Sequence, residues 1–428
     1  MSFLGQTAAS GGHSARRRLK VGVLVDLALS DTAGGHVKCW QRLAEAAVEY
    51  REQLDLTVHF SGFEPRRIEL SDSVRYIIMP PVFSTARVIR ELPDHTDLAR
   101  WHPRLAAALT GYDVIHTTDA FFCYASTATR VGRRHGIPVV SSIHTNTPEY
   151  ARITTEKLLQ RLLGHGRAFR AANDNLALPL FVKGLLEARL RRHLEQVVAA
   201  MGSSGAALDP KHPDRHRGLL LRRGIDRALF SPKRRDREWL ERRFGVPSNH
   251  LVLMYAGKLD AGKNVPLLAP IMLNLREAGH RVHLLLAGAG AEQRALEDAL
   301  GASLTCAGPL DQTEVARAYA SADLFLFPSA IDELGNAAIE AMACGLPTLV
   351  AAGSGVAMRM ADCAGMLVLP GDNPQQWAAI IAQLIADPKR RAAMGAASRS
   401  FAETRIPSWA EVLEQDLLPI WQAVAIRV

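Results

Sequence analysis

Apolar positions fall along this chain in short runs, separated by stretches in which they recur every three or four residues. That alternation predicts an α/β protein with parallel sheets. In the first half the runs are Lys20–Val25, Leu56–Phe60, Asp113–His116, Pro138–Ile143 and Val197–Ser203. Their apolar character on consecutive positions predicts strands buried on both faces. Val37, Trp40, Leu43 and Ala47 have helical spacing and predict a helix over His36–Val48. A second series runs through Leu251–Tyr255, Arg281–Ala287, Asp323–Phe327, Thr348–Ala351 and Met366–Leu369. Each series is long enough for its own doubly wound sheet. The stretch Leu208–Arg237, rich in Pro, Arg and Asp, reads as the link between them. A late helix over Trp409–Val424 is expected to cross back to the first domain. The expected parts are therefore a flexible basic tail (1–18), an N-terminal domain (19–222), a C-terminal domain (223–408) and a crossing helix (409–428). Two such sheets bind ligands at the carboxyl ends of their strands, which predicts a site in the crevice between domains.

Composition narrows the partners. Lys and Arg number 51 against 43 Asp and Glu, a net charge of +8, which favours an anionic partner: a nucleotide, a nucleic acid or an acidic membrane surface. The basic residues are scattered and no aromatic stacking motif accompanies them, which argues against a nucleic acid. The five cysteines are widely spaced with no CxxC pair, as expected of reduced thiols in the cytoplasm. No apolar run approaches the roughly 18–20 residues of a membrane-spanning helix. The first 18 residues, with Arg16, Arg17 and Arg18, lack the apolar centre of a signal peptide.

Three motifs carry candidate chemistry. Gly34-Gly35 lies in the loop after the first strand, just before a helix. Paired glycines let a backbone approach a phosphate, and the helix start supplies free N–H groups. The spacing is not that of GxGxxG, and a flexible turn is the plain alternative. Lys258 and Lys263 stand five residues apart on the Gly-containing loop Tyr255–Asn264, where they could neutralise a departing diphosphate. The alternative is a pair of solvated lysines. The third motif runs from Phe327 to Pro347: a strand ending at Pro328, a polar loop with Asp332, a helix from about Gly335 that carries Glu340 about two turns after Asp332, and Gly345 and Pro347 as stop signals. Two such carboxylates can accept hydrogen bonds from paired sugar hydroxyls, and the free amides at the helix start can meet phosphate. The alternative is an amphipathic helix with Glu340 in water.

A carboxylate, seven residues, Glu, then Ala-Met-Ala-x-Gly-x-Pro resembles the signature of family 4 of the retaining glycosyltransferases. The resemblance continues in order along the chain: Gly34-Gly35, Arg223-Gly224-Ile225-Asp226 with Phe230 and Pro232, Lys258 and Lys263, and Gly288-Ala289-Gly290. It implies the GT-B fold, two Rossmann-like doubly wound domains facing a central cleft. By the same resemblance Lys258 and Lys263 would hold the donor diphosphate with Gly34 and Gly35 assisting, and Glu340 would bind the ribose. Asp332, with backbone groups of Leu334, Gly335 and Asn336, would hold the transferred sugar, and main-chain groups at Leu310 would meet the base. His116 and His144, each at a strand end, match a region that contacts donor sugar or acceptor. No Asp-x-Asp pair is present, in line with the family's metal-independent chemistry, so no metal or other cofactor is expected.

Two positions depart from the family pattern: Asp332 where Glu is usual, and Lys258 where Arg is usual, which keeps the charge and loses the bidentate geometry. The words Asp-x-x-Gly-Asn are similar to a branch that includes mannosyltransferases acting on lipids. The expected activity is transfer of a hexosyl group from a nucleoside diphosphate sugar to a lipid-linked, glycolipid or polysaccharide acceptor. A GT-B scaffold without turnover and a sugar-nucleotide epimerase are the alternatives. The basic stretch Arg152–Glu195 carries an apolar stripe, Val182, Leu186, Leu190, Leu194 and Val197. It reads as a packed surface helix or, more sharply, as a contact with an anionic membrane leaflet.

Overall fold

The computed structural model describes residues 17–30, 35–84, 97–144, 146–164, 166–202, 219–330 and 335–426. Two sheets organise the chain. The first comprises β1 (Leu19–Ala28), β2 (Leu54–Ser61), β3 (Arg66–Glu69), β4 (Val74–Met79), β5 (Val114–Thr117), β6 (Val139–Ile143) and β7 (Ala199–Gly202), in the order β3-β4-β2-β1-β5-β6-β7. The pairings from β4 to β7 are parallel, and β3 runs antiparallel along the edge. The second comprises β8 (Leu251–Ala256), β9 (Val282–Ala287), β10 (Leu304–Gly308), β11 (Leu324–Phe327), β12 (Thr348–Ala351) and β13 (Met366–Leu369), all parallel, in the order β10-β9-β8-β11-β12-β13. Leaving out edge strand β3, both sheets have the doubly wound order 3-2-1-4-5-6. Their switch points fall between β1 and β5 and between β8 and β11, where ligands of such folds bind.

The expected strands are present with ends moved by up to three residues, the most at β1, which runs on to Ala28. β3, β4 and β10 are additions. β3 reads Arg-Arg-Ile-Glu, and β10 is only half-buried along its length, so neither makes a buried apolar run. β4 lies between the polar segment Ser71–Ser73 and Pro80-Pro81, which on sequence resembles loop.

Burial on both faces follows the strand alternation. Val252 and Met254 of β8 join one cluster with Phe325 and Phe327 of β11. Leu253 and Tyr255 join the opposite cluster with Leu326 and Trp377. In the N-terminal half, helix α1 (Gly35–Ala47) lays Val37, Trp40, Leu43 and Ala44 against Val23, Val25 and Phe60. Val412, Leu413, Leu417, Leu418, Trp421 and Val424 from the last helical segments, Trp409–Val412, Leu413–Leu417 and Leu418–Ala425, complete that same cluster.

The two passages between the halves run side by side. Ile225 N–H donates to Pro407 C=O at 2.9 Å. A side chain at Gly224 would come within 2.7 Å of Trp409. Arg222 holds Asp416 through its backbone N–H and guanidinium at 2.7–3.2 Å.

Candidate functional site

The halves meet where α1 begins. Gly335 has φ +60° and caps the helix Asn336–Ala343, leaving Asn336 as its first residue. Asn336 Nδ2 donates to Gly35 C=O across the cleft at 3.4 Å, and a Cβ on Gly35 would lie 2.7 Å from that nitrogen. Two turns into α1, the Arg42 guanidinium hydrogen-bonds the side-chain carbonyl of Gln312 in the other half. Together these contacts close one side of an open pocket lined among others by Lys38, Arg42, Ile225, Asn336 and Glu340. Gly34, Asp332 and Leu334 lie outside the described residues.

Glu340 is the charged group whose environment is most altered there. Burial raises its carboxyl from the ordinary 4.5 to about 7, although Lys38, the Tyr319 hydroxyl and Arg42 pull it down. Tyr319 Oη donates to Glu340 Oε2 at 3.4 Å. Near neutral pH Glu340 is thus poised between protonated acid and carboxylate. Lys38 and Arg42 face it from the other half. Sequence reading passed over them, although their spacing of four residues on one helix places them on a common face.

The loop after β8 carries the two lysines. Asp260 Oδ1 caps the turn Ala261–Lys263 by accepting Lys263 N–H at 2.8 Å, and Lys258 Nζ stands 4.0 Å from Asp260 Oδ2. The Gly288-Ala289-Gly290 turn presses backbone on backbone against this loop. A Cβ at Gly288 would meet Gly257 C=O at 1.9 Å, and one at Gly290 would meet Leu259 C=O at 2.2 Å. Those glycines therefore fix the position of Lys258. Leu310 is buried just past β10, before Asp311 caps the helix Gln312–Ser321.

The two histidines differ in placement. His116 is fully buried beneath Trp40 and Trp421 and does not open on the cleft. Trp421 Nε1–H donates to His116 Nδ1 at 3.0 Å, which leaves the proton on Nε2, 2.9 Å from Ser142 Oγ. Ser142 Oγ is also 2.8 Å from His144 Nε2, and Arg223 Nη2 stands 3.5 Å from His144 Nδ1. A guanidinium only donates, so His144 accepts at Nδ1 and donates from Nε2, giving Ser142 two hydrogen bonds to accept. Burial lowers His116 to about 3, and burial with neighbouring His36 and Arg223 holds His144 well below its usual range, so both imidazoles are neutral. His116 acts as a positioning residue for Ser142 and His144. His144 stacks on His36 at the start of α1, ring centroids 4.4 Å apart.

In the stretch Arg152–Glu195, the stripe Val182, Leu186, Leu190 and Leu194 is half-buried or buried. It is packing, in agreement with the plainer of the two readings. A different set of apolar side chains faces outward. Leu158 and Leu162 on the helix Thr147–Leu163, and Leu178, Phe181 and Leu185 on the helix Leu178–Leu194, are exposed, Leu162 by 69% and Phe181 by 60%. Among the described residues no helix is long and apolar enough to cross a membrane.

Comparison with known proteins places this architecture. The family described as Glycosyltransferase Family 4 matches residues 33–257, and that described as Glycosyl transferases group 1 matches residues 236–401. The chain is similar to a D-inositol 3-phosphate glycosyltransferase of Segniliparus rotundus, 27% identical over 282 residues, or 63% of this chain and 58% of that protein's own length. D-inositol 3-phosphate glycosyltransferase 1 of Catenulispora acidiphila is 26% identical over 327 residues, 73% of this chain and 72% of that one. In fold the chain is similar to Anabaena HepE in complex with UDP-glucose, with a TM-score of 0.66 at 16% identity, covering 95% of this chain and 100% of that one. The family matches, running in order across both halves of a GT-B fold, show that the chain belongs to the group 1, family 4 glycosyltransferases.

Proposed function

We propose that this protein transfers a hexosyl group, with retention and without a metal ion, from a nucleoside diphosphate sugar to a hydroxyl of a lipid-linked, glycolipid or polysaccharide acceptor. The observation that carries the reading is the meeting of Gly35 and Asn336 at 3.4 Å beside the half-buried Glu340. It puts a helix start and a carboxylate in one cleft, beside the Lys38 and Arg42 cations. Glu340 accepts the ribose hydroxyls. Lys258, Lys263 and Gly35 take the diphosphate, replacing the charge neutralisation that a metal provides elsewhere. Asp332 and the backbone around Gly335 hold the sugar, the chain near Leu310 meets the base, and His144 faces sugar or acceptor. In front-side transfer the leaving phosphate takes the acceptor proton, so no protein base is assigned. The test is a panel of nucleotide sugars read by thermal shift and by donor turnover in the presence of a strong chelator. One donor should raise the melting temperature and be turned over with chelator present. Loss of turnover with recovery on manganese would refute metal independence, and a panel with no binder would refute the reading.

The exposed apolar face supports an acceptor embedded in a membrane. Leu178, Phe181 and Leu185 share one face with the exposed Arg189 and Arg192. Full burial of each large apolar side chain yields about 1.5–3 kcal/mol, and each cation near an anionic leaflet about 1 kcal/mol. The double change Phe181→Asp with Leu185→Asp should abolish co-sedimentation with anionic vesicles. Unchanged recovery would assign the face to something other than a bilayer.

A further inference from the structure

Arg223 is 6% exposed, and its Nε and Nη1 have no hydrogen-bond partner among the described residues. Among the described residues it forms no ion pair. Its Nη2 reaches only the neutral His144 at 3.5 Å, and Cys39 Sγ lies against the guanidinium. A buried cation left in this condition costs several kcal/mol unless an anion joins it. A second buried polar atom without a partner among the described residues is adjacent. His36, in the first turn of the thirteen-residue α1, has its Nε2 shielded from solvent without a partner, and its ring stacks on His144. The next residue along the chain, Gly224, and the neighbouring Cys39 line the interdomain cavity, so the cluster stands at the wall of the cleft. His36, Cys39 and His144 all belong to the N-terminal half, on the opposite side from Glu340 and the lysine loop.

Resting on the transferase reading, we infer that Arg223 and His36 form a buried binding point for an oxyanion of the acceptor, a phosphate or carboxylate group next to the hydroxyl that receives the sugar. An oxygen placed there accepts from Arg223 and from the His36 Nε2–H, and it also meets the positive end of α1. The acceptor class is thereby narrowed to anionic molecules: a sugar or polyol phosphate, a phosphorylated lipid headgroup or a uronic acid. The donor diphosphate is the other source of the same chemistry, and it is assigned to Lys258 and Lys263.

The test uses the full chain with inorganic phosphate as probe, at ionic strength matched with chloride. Phosphate should raise the melting temperature of the wild type and of a Lys258→Ala, Lys263→Ala double variant, and should raise that of Arg223→Met clearly less. In phosphate-free buffer Arg223→Met should melt at or above the wild type, because an apolar chain replaces an uncompensated cation. A merely structural arginine would give the reverse. Nucleoside diphosphate affinity should stay within about threefold in Arg223→Met and fall more than about tenfold in the lysine variant, the loss expected when charge-assisted hydrogen bonds are removed. Arg223→Gln repeats the comparison if the methionine variant is insoluble. A phosphate shift of equal size in Arg223→Met, or a lost nucleotide affinity there, overturns the inference. A wild type that binds phosphate but no nucleotide sugar defeats the transferase reading instead.

Discussion

Glu340→Gln should do two opposite things, and the signs follow from the surroundings of that carboxyl. Holding a carboxyl at about 7 instead of 4.5 makes its ionised form unfavourable by about 3 kcal/mol, at about 1.36 kcal/mol per pH unit. A raised acid binds more protons folded than unfolded, so stability falls as pH rises from about 4.5 to about 7. Above that window the wild type has lost the full amount, and a glutamine has lost nothing. At pH 8 the variant should therefore melt higher, by up to about 6–12 °C for a domain of this size, and at pH 4.5 the two should coincide. Binding runs the other way. A carboxylate that accepts the ribose hydroxyls contributes about 1.5–3 kcal/mol, so nucleotide-sugar affinity should fall roughly ten- to 150-fold in the variant. Because the bound form is ionised, binding below pH 7 should release up to one proton in the wild type and none in the variant. A nucleotide sugar is the correct ligand, since its diphosphate has no terminal group titrating near 6. Thermal unfolding at the two pH values, with calorimetry in buffers of different ionisation enthalpy, reads both effects. A variant less stable than wild type at pH 8, or wild-type affinity independent of pH from 5.5 to 7.5, would refute the reasoning.

Asp332→Asn should leave binding of the free nucleoside diphosphate intact and lower turnover, the mark of an interaction that strengthens in the transition state. Asp332→Glu should retain part of the activity, both read by paired calorimetry and donor turnover. Trp421→Phe leaves His116 Nδ1 buried without its donor, so stability should fall by about 1–3 kcal/mol in chemical unfolding. Gly288→Ala forces a methyl onto Gly257 C=O, 1.9 Å away, at φ +141°, and should displace the Lys258 loop. Its nucleotide affinity should drop by about tenfold or more while circular dichroism stays unchanged, the size of effect that misplaced charge-assisted contacts produce.

The two sheets were legible because buried parallel strands have to be apolar on consecutive positions, and Leu324–Phe327 or Val282–Ala287 can scarcely be read otherwise. β3 and β10 are edge strands, which need no such run, and they escaped. In the site, the motif words named Gly35, Lys258, Lys263, Asn336 and Glu340, and the fold puts Asn336 and Glu340 on one cavity with Gly35 against Asn336. What sequence could not supply were contacts between residues distant in the chain. Trp421 covering His116 from 305 positions away is one, and the Arg42–Gln312 bridge is another. The exposed Leu178, Phe181 and Leu185 were hidden for a different reason. The helix Leu178–Leu194 is apolar on more than one face, so periodicity alone could not say which face turns inward.

The side-by-side passages at Ile225–Pro407 bear on how the molecule comes into being. The C-terminal half is one unbroken stretch between them, whereas the N-terminal half is assembled from two pieces of chain, the second ending in Trp421. Synthesis proceeds at about 5–20 residues per second, so roughly 20–80 s separate the emergence of β1 from that of the indole that seals its core. Through that interval Val23, Val25 and Trp40 lack their final cover, and the nascent first domain waits with apolar surface open to chaperones. The half that carries Glu340 closes its core first, and the half that carries His144 closes last.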